Sequence, residues 1–95
     1  MGKRSIYLSP AFGRKIKKLK KQEKKGLDDA ILRILNNPRI GEEKVGDLAG
    51  VFVHKFKINQ QLILLSYIYD EKSINLLAFG SHENFYRDLK KYKKA

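Results

Sequence analysis

Cysteine is absent from the 95 residues. That excludes a disulfide framework and any thiolate metal site, and it suits a reducing cytoplasm. Histidine occurs twice, as His54 and His82, with no paired carboxylate motif, so neither a metal site nor a cofactor is expected. Gly41, Gly46 and Gly50 do not have the spacing of a phosphate-cradling glycine loop. Long apolar runs are also missing. The longest, Leu62–Leu65 with its neighbours to Tyr69, is far too short to span a bilayer. Lys3 and Arg4 precede only a brief apolar patch before Pro10, which does not fit a signal peptide. The expectation is a soluble, cytoplasmic protein with no membrane partner, built as one domain over residues 1–95.

Acidic residues are scarce relative to basic ones. Ten Asp and Glu face 21 Lys and Arg, a net charge of +11. An excess of this size on so small a chain points to a polyanion, either nucleic acid or an acidic partner protein, over an ordinary solvated surface.

What is present falls into two halves with different periods. Lys3–Leu8 ends in an apolar Ile6-Tyr7-Leu8 patch and reads as a first strand. Ser9-Pro10 opens a helix, Ser as N-cap and Pro pre-set at the first helical position. Phe12, Ile16 and Leu19 then form one apolar stripe. Arg14, Lys15, Lys17, Lys18, Lys20 and Lys21 surround it, with no acidic residue before Glu23 to pair with. The pattern predicts a cationic helix that meets phosphate. Gly26 is expected to mark a turn or a weak helix start, with a second helix over Leu27–Leu35 closed by Asn36-Asn37-Pro38. Arg39–Gly50 reads as a polar loop.

From Val51 the period becomes 2. Phe52, His54, Phe56 and Ile58 alternate with Val53, Lys55 and Lys57. By parity His54 points with the aromatics, into the core or at a substrate, whereas Lys55 and Lys57 form a cationic face. Asn59-Gln60 is a hairpin turn without a glycine. Leu62–Tyr69 predicts a central strand, Asp70-Glu71-Lys72 a turn, and Ser73–Phe79 an uncharged buried strand. Gly80 breaks that strand, and Ser81 can cap a last helix that starts at His82 and packs Phe85 and Leu89. His82 would therefore stand at the rim where a core strand hands over to a helix. The predicted order β-α-α-β-β-β-α gives an α+β fold: an antiparallel meander, a helical hairpin on one face, and the first strand at the sheet edge or beside the last strand.

Strand, two helices and meander, the Leu48-Ala49-Gly50 segment before the second strand, and the closing Gly80-Ser81-His82-x-x-Phe85-Tyr86 together resemble the RelE/ParE toxin superfamily. The closing motif looks most like the YafQ-type branch. The resemblance spans nearly the whole chain. It implies a toxin of a bacterial toxin–antitoxin operon, neutralised by an acidic antitoxin. Many such toxins are mRNA endonucleases that cut in the ribosomal A site, whereas the ParE branch poisons DNA gyrase. Carried over, His82 and Tyr86 take catalytic parts, and Phe85 belongs to the core. Arginines that many relatives carry on the second and third strands are missing: here stand His54, Lys55 and Lys57, and no cation at all on Leu62–Tyr69.

Metal-free RNA cleavage needs a base for the 2′-hydroxyl, cations for the charged phosphorane and an acid for the leaving 5′-oxygen. His82 can serve as base or acid near neutrality, and His54 is the second candidate. Tyr86 would orient or stack a base. Lys55, Lys57 and Arg87 are candidate phosphate contacts on mRNA, and Lys15, Lys17, Lys18, Lys20 and Lys21 on rRNA. A gyrase inhibitor without catalytic residues, or a basic module that only binds an antitoxin, are the alternatives.

Overall fold

The computed structural model describes residues 4–81. The expected C-terminal helix from His82, with Phe85 and Leu89, lies outside the described residues. In order, the elements are strand β1 (Ser5–Leu8), helices α1 (Pro10–Ile16) and α2 (Lys21–Asn36), and strands β2 (Glu42–Glu43), β3 (Phe52–Ile58), β4 (Gln61–Tyr69) and β5 (Ser73–Gly80). The strands make one sheet in the order β1-β5-β4-β3-β2. The architecture is α+β, as the change of period at Val51 predicts. The meander β3-β4-β5 is antiparallel. β1 takes the edge and also pairs with the last strand, in parallel, with Ile6 opposite Ile74 and Leu8 opposite Leu76.

Three local features differ from the sequence expectation. The first helix stops at Ile16 instead of carrying its stripe through Leu19. The Glu23 carboxylate accepts the Lys20 N–H at 2.9 Å, which gives a second helix its N-terminus there. Leu19 still packs on the same core from the connecting segment. Gly26 is not a turn but lies inside α2. A Cβ at this position would stand 3.1 Å from Ile58 Cγ1, so the missing side chain lets the helix settle onto β3. Arg39–Gly50 is more structured than a loop: it holds two 3-10 turns and the two-residue β2.

The main core lies between the helices and one face of the sheet. Phe12, Leu27 and Ile34 meet Leu65, Tyr67, Ile74, Leu76 and Phe79, all essentially excluded from water. Fully burying each such side chain contributes on the order of 2–3 kcal/mol. Ser9 fixes the entry to α1: its hydroxyl accepts the Phe12 N–H at 3.0 Å and donates to the Leu77 carbonyl at 2.8 Å. That contact ties the helix start to β5 and drives Phe12 against Phe79, ring centroids 4.7 Å apart. Tyr67 pins the other side. Its buried hydroxyl accepts the Gly41 N–H at 2.9 Å and donates to the Pro38 carbonyl. A smaller apolar cluster, Val51, Val53, Leu64 and Leu77, occupies the opposite face of the sheet.

Candidate nucleic-acid interface

β2 borders only the first two residues of β3, with Glu42 opposite Val53 and Glu43 opposite Phe52. The adjoining bond from Lys44 N–H to the Val51 carbonyl, 2.8 Å, shows that the odd-numbered residues turn their backbone groups outward. Beyond Val53 no described strand covers them. Lys55 and Lys57 therefore present outward backbone N–H and C=O groups together with exposed ammonium side chains, about 7 Å apart along the strand. A groove of about 220 Å³ runs between this edge and α2, lined by Asp29 and Arg33 from the helix and Lys55, Phe56 and Lys57 from the strand. Three cations against one carboxylate make it an anion-attracting surface.

The cross-sheet register links this edge to the place where the chain leaves β5. Lys55 lies opposite Leu64, and Leu64 lies opposite Gly80. Two strand spacings, about 9.5 Å, separate the Lys55 and Gly80 backbones. β3 and β5 run the same way, so both end at one rim of the sheet. A second cavity, about 210 Å³, opens there beneath the helix corner and is lined by Lys15, Glu23, Gln61, Phe79, Gly80 and Ser81 among others. Lys15 is held at this rim: its ammonium donates to the Phe79 carbonyl and sits 5.1 Å from the centroid of the Phe79 ring. Lys17, Lys18, Lys20 and Lys21 are exposed. They surround the α1–α2 corner instead of lining a single helical face, because the helix breaks among them.

His54 does not join this surface. It is 8 % exposed, lies opposite Leu65 on the helix-covered face, and stacks on Phe56 with ring centroids 5.8 Å apart. Its Nε2 is buried without a hydrogen-bond partner. Burial, reinforced by the nearby Arg33 guanidinium, holds the imidazole pKa below its usual value and favours the neutral ring. Of the two alternatives that parity left open, the core one describes it. His82, Tyr86 and Arg87 lie outside the described residues. Arg33 is the groove cation that sequence reading missed. Its position in the second helix gave no signal until the packing of α2 on β3 was known. Among the described residues no group of His, Asp or Glu side chains could hold a metal ion.

Residues 6–90 match the family model described as the ParE-like toxin of type II bacterial toxin–antitoxin systems. No curated protein matches. Several solved structures share the fold at low identity. A double-arginine mutant of the Escherichia coli toxin RelE in the free state is 20% identical, with 96% of this chain and 98% of that one covered and a TM-score of 0.71. In the E. coli RelBE toxin–antitoxin complex the matched chain is 20% identical, covering 82% and 95%, TM-score 0.66. A YoeB dimer from Staphylococcus aureus is 21% identical, covering 85% and 99%, TM-score 0.68.

Proposed function

Because the chain belongs to the ParE-like toxin family of type II bacterial toxin–antitoxin systems, we propose that it is a ribosome-dependent mRNA endonuclease, acting in the cytoplasm and silenced by an acidic antitoxin. The closing Gly80-Ser81-His82 motif favours the YafQ-type branch within the superfamily. The observation that carries the reading is the register row Lys55–Leu64–Gly80. It brings the two exposed lysines of β3 to the same end of the sheet as the strand that leads into His82.

In this reading His82 exchanges the proton of the reaction. As base it removes the 2′-hydroxyl proton while the 2′-oxygen attacks phosphorus. As acid it protonates the departing 5′-oxygen, leaving a cyclic phosphate. Lys55, Lys57 and Arg87 hold the phosphorane charge, and Tyr86 orients a base. Lys15, Lys17, Lys18, Lys20 and Lys21 face rRNA. The net +11 also supplies the attraction for the acidic antitoxin.

A second reading has its own observation. Leu62, opposite Lys57 in the register, is 42% exposed and apolar at a strand where many relatives place a cation. Such a surface suits a protein target, which would be DNA gyrase. Induced expression followed by mapping of mRNA 5′ ends at translating ribosomes separates the two. Codon-phased cuts that vanish in His82→Ala establish the nuclease; growth arrest with intact mRNA points to gyrase. No arrest leaves a module that only binds its antitoxin.

A further inference from the structure

The other edge of the sheet is built differently. All four residues of β1 are exposed, with Ile6 at 39%, Tyr7 at 56% and Leu8 at 47%. Natural sheets blunt such edges with charge, proline or a covering element. Ser5–Leu8 carries neither charge nor proline, no described element covers it, and no charge occurs from Ser5 through Gly13. The preceding cation, Arg4, is folded back: its Nε donates to the Asp70 carbonyl at 2.7 Å, and its guanidinium lies 5.6 Å from the centroid of the Tyr69 ring.

The backbone of this edge is self-complementary. Ser5 N–H bonds the Lys72 carbonyl at 2.9 Å and Ser9 N–H the Leu76 carbonyl at 3.0 Å, so the odd residues face β5. Ile6 and Leu8 consequently turn their N–H and C=O groups out of the sheet. Two such residues flanking one centre form a symmetric set of donors and acceptors. We propose that the free chain pairs with a second copy of itself through β1, antiparallel, about a two-fold axis at Tyr7. Ile6 of each copy exchanges both backbone hydrogen bonds with Leu8 of the other, and the two Tyr7 residues face each other as a non-hydrogen-bonded pair.

Charge selects this occupant. Two chains of +11 meet most readily along a segment without cations, and Ser5–Gly13 is such a segment, whereas Lys55 and Lys57 guard the β3 edge. An acidic partner segment finds no counter-charge on Ser5–Leu8 and is drawn to the lysines instead. The contact is small, so the dimer is weak and reversible. Its salt dependence has a definite sign. Screening relieves the repulsion between the two copies and strengthens pairing, the opposite of what a contact with an acidic partner would show.

Sedimentation equilibrium of the free chain tests the proposal. The expected mass rises with concentration from 11.0 kDa toward twice that value, about 22 kDa, and rises further between about 50 and 500 mM salt. Tyr7→Lys, which places two ammonium groups at the axis, returns the mass to the monomer. Because the chain has no cysteine, Tyr7→Cys is a clean reporter: Cα atoms about 4.5 Å apart in a non-hydrogen-bonded pair are within disulfide range. It crosslinks under mild oxidation, whereas Ile6→Cys and Lys57→Cys do not. A chain monomeric up to about 1 mM, a dimer that survives Tyr7→Lys, or one that salt weakens overturns the proposal. So does crosslinking at Lys57→Cys equal to that at Tyr7→Cys. If β1 amides gain hydrogen-exchange protection only when antitoxin is bound, the edge belongs to the antitoxin and the proposal fails.

Discussion

The two edges of this sheet have the same backbone problem and opposite solutions. At β1 the outward groups belong to Ile6 and Leu8, and the side chains around them are apolar or neutral. At β3 they belong to Lys55 and Lys57, across a groove from Arg33. The chain itself shows what the second edge accepts. β2, whose two residues are Glu42 and Glu43, already covers its first positions. The Glu42 carboxyl is held below its ordinary range by a 2.8 Å hydrogen bond from Lys44 and by the charges of Lys44 and Lys55. A net charge of +11 is thus not spread evenly over the two edges. Among the described residues it concentrates cations at the β3 edge and leaves Ser5–Leu8 without them.

The comparison breaks most visibly if the β3 edge is made as neutral as β1. Lys55→Thr combined with Lys57→Thr leaves the core untouched, since both side chains are exposed. Under the proposed nuclease function, codon-phased mRNA cleavage by this variant should fall by about 100-fold or more, the usual effect of removing groups that stabilise transition-state charge. Read by 5′-end mapping, undiminished cleavage would remove this edge from the reaction. The next largest effect is on stability. Gly41 lies just before β2, and a Cβ there would approach the Tyr67 hydroxyl to 2.5 Å. Gly41→Ala must displace a buried ring that bonds both Gly41 and Pro38. A loss of about 2–3 kcal/mol in urea unfolding is expected, with new hydrogen exchange at Val53, whose N–H faces β2, as β2 detaches.

His54 is the first β3 residue past the cover of β2, and it tests the helix-facing side of that strand. Its folded pKa is depressed by burial and then by Arg33, so the unfolded chain binds the proton more readily. Stability should be intact above about pH 6.5 and fall as pH drops through the lower folded value, by at most about 1.4 kcal/mol per pH unit. His54→Phe keeps the stack on Phe56 and removes the orphaned Nε2. It should gain about 1 kcal/mol at pH 7 and lose this portion of the acid slope in denaturation series run from pH 7.5 to 5.5. An unchanged slope would show that the imidazole finds a partner in solution.

Which features the sequence revealed follows from how far the deciding contact lies along the chain. The Ser9-Pro10 helix start, the stop at Asn37-Pro38 and the alternation after Val51 are set by neighbours within a turn or two, and each stands where the pattern puts it. The break after Ile16 was hidden because Phe12, Ile16 and Leu19 keep helical spacing across it, and only the return of Glu23 to Lys20 exposes it. Gly26 misleads for a different reason. A glycine inside a helix reads as a breaker until Ile58, far along the chain, is seen to need the space. The cationic face of β3 was legible from parity, but its open edge was not, because nothing in a polar loop announces a strand of two residues. Arg33 in the groove and the bare β1 edge both depend on pairings across most of the chain.

The smallest expected effect concerns the turn that sets which lysines face outward. Asn59 and Gln60 both have positive φ, 51° and 68°, the conformation of a type I′ hairpin turn, which matches the twist of the flanking strands. Asn tolerates this region, whereas Gln gains nothing from it and carries a Cβ penalty of about 1 kcal/mol. Register pairs Ile58 with Gln61 directly across the turn, so a slip of one residue would exchange the two faces of β3 and turn Lys55 and Lys57 toward the helices. Gln60→Gly should therefore raise stability by about 0.5–1 kcal/mol in urea unfolding, the backbone relief being partly offset by the entropy of a freer unfolded chain. Under the proposed nuclease function, the same variant should leave mRNA cleavage at the parental level, because the register it reinforces is the one already adopted. A fall in cleavage would mean that the Gln60 side chain itself contacts RNA at the rim. A fall in stability would mean that the positive φ is paid for by contacts of the glutamine that glycine cannot replace.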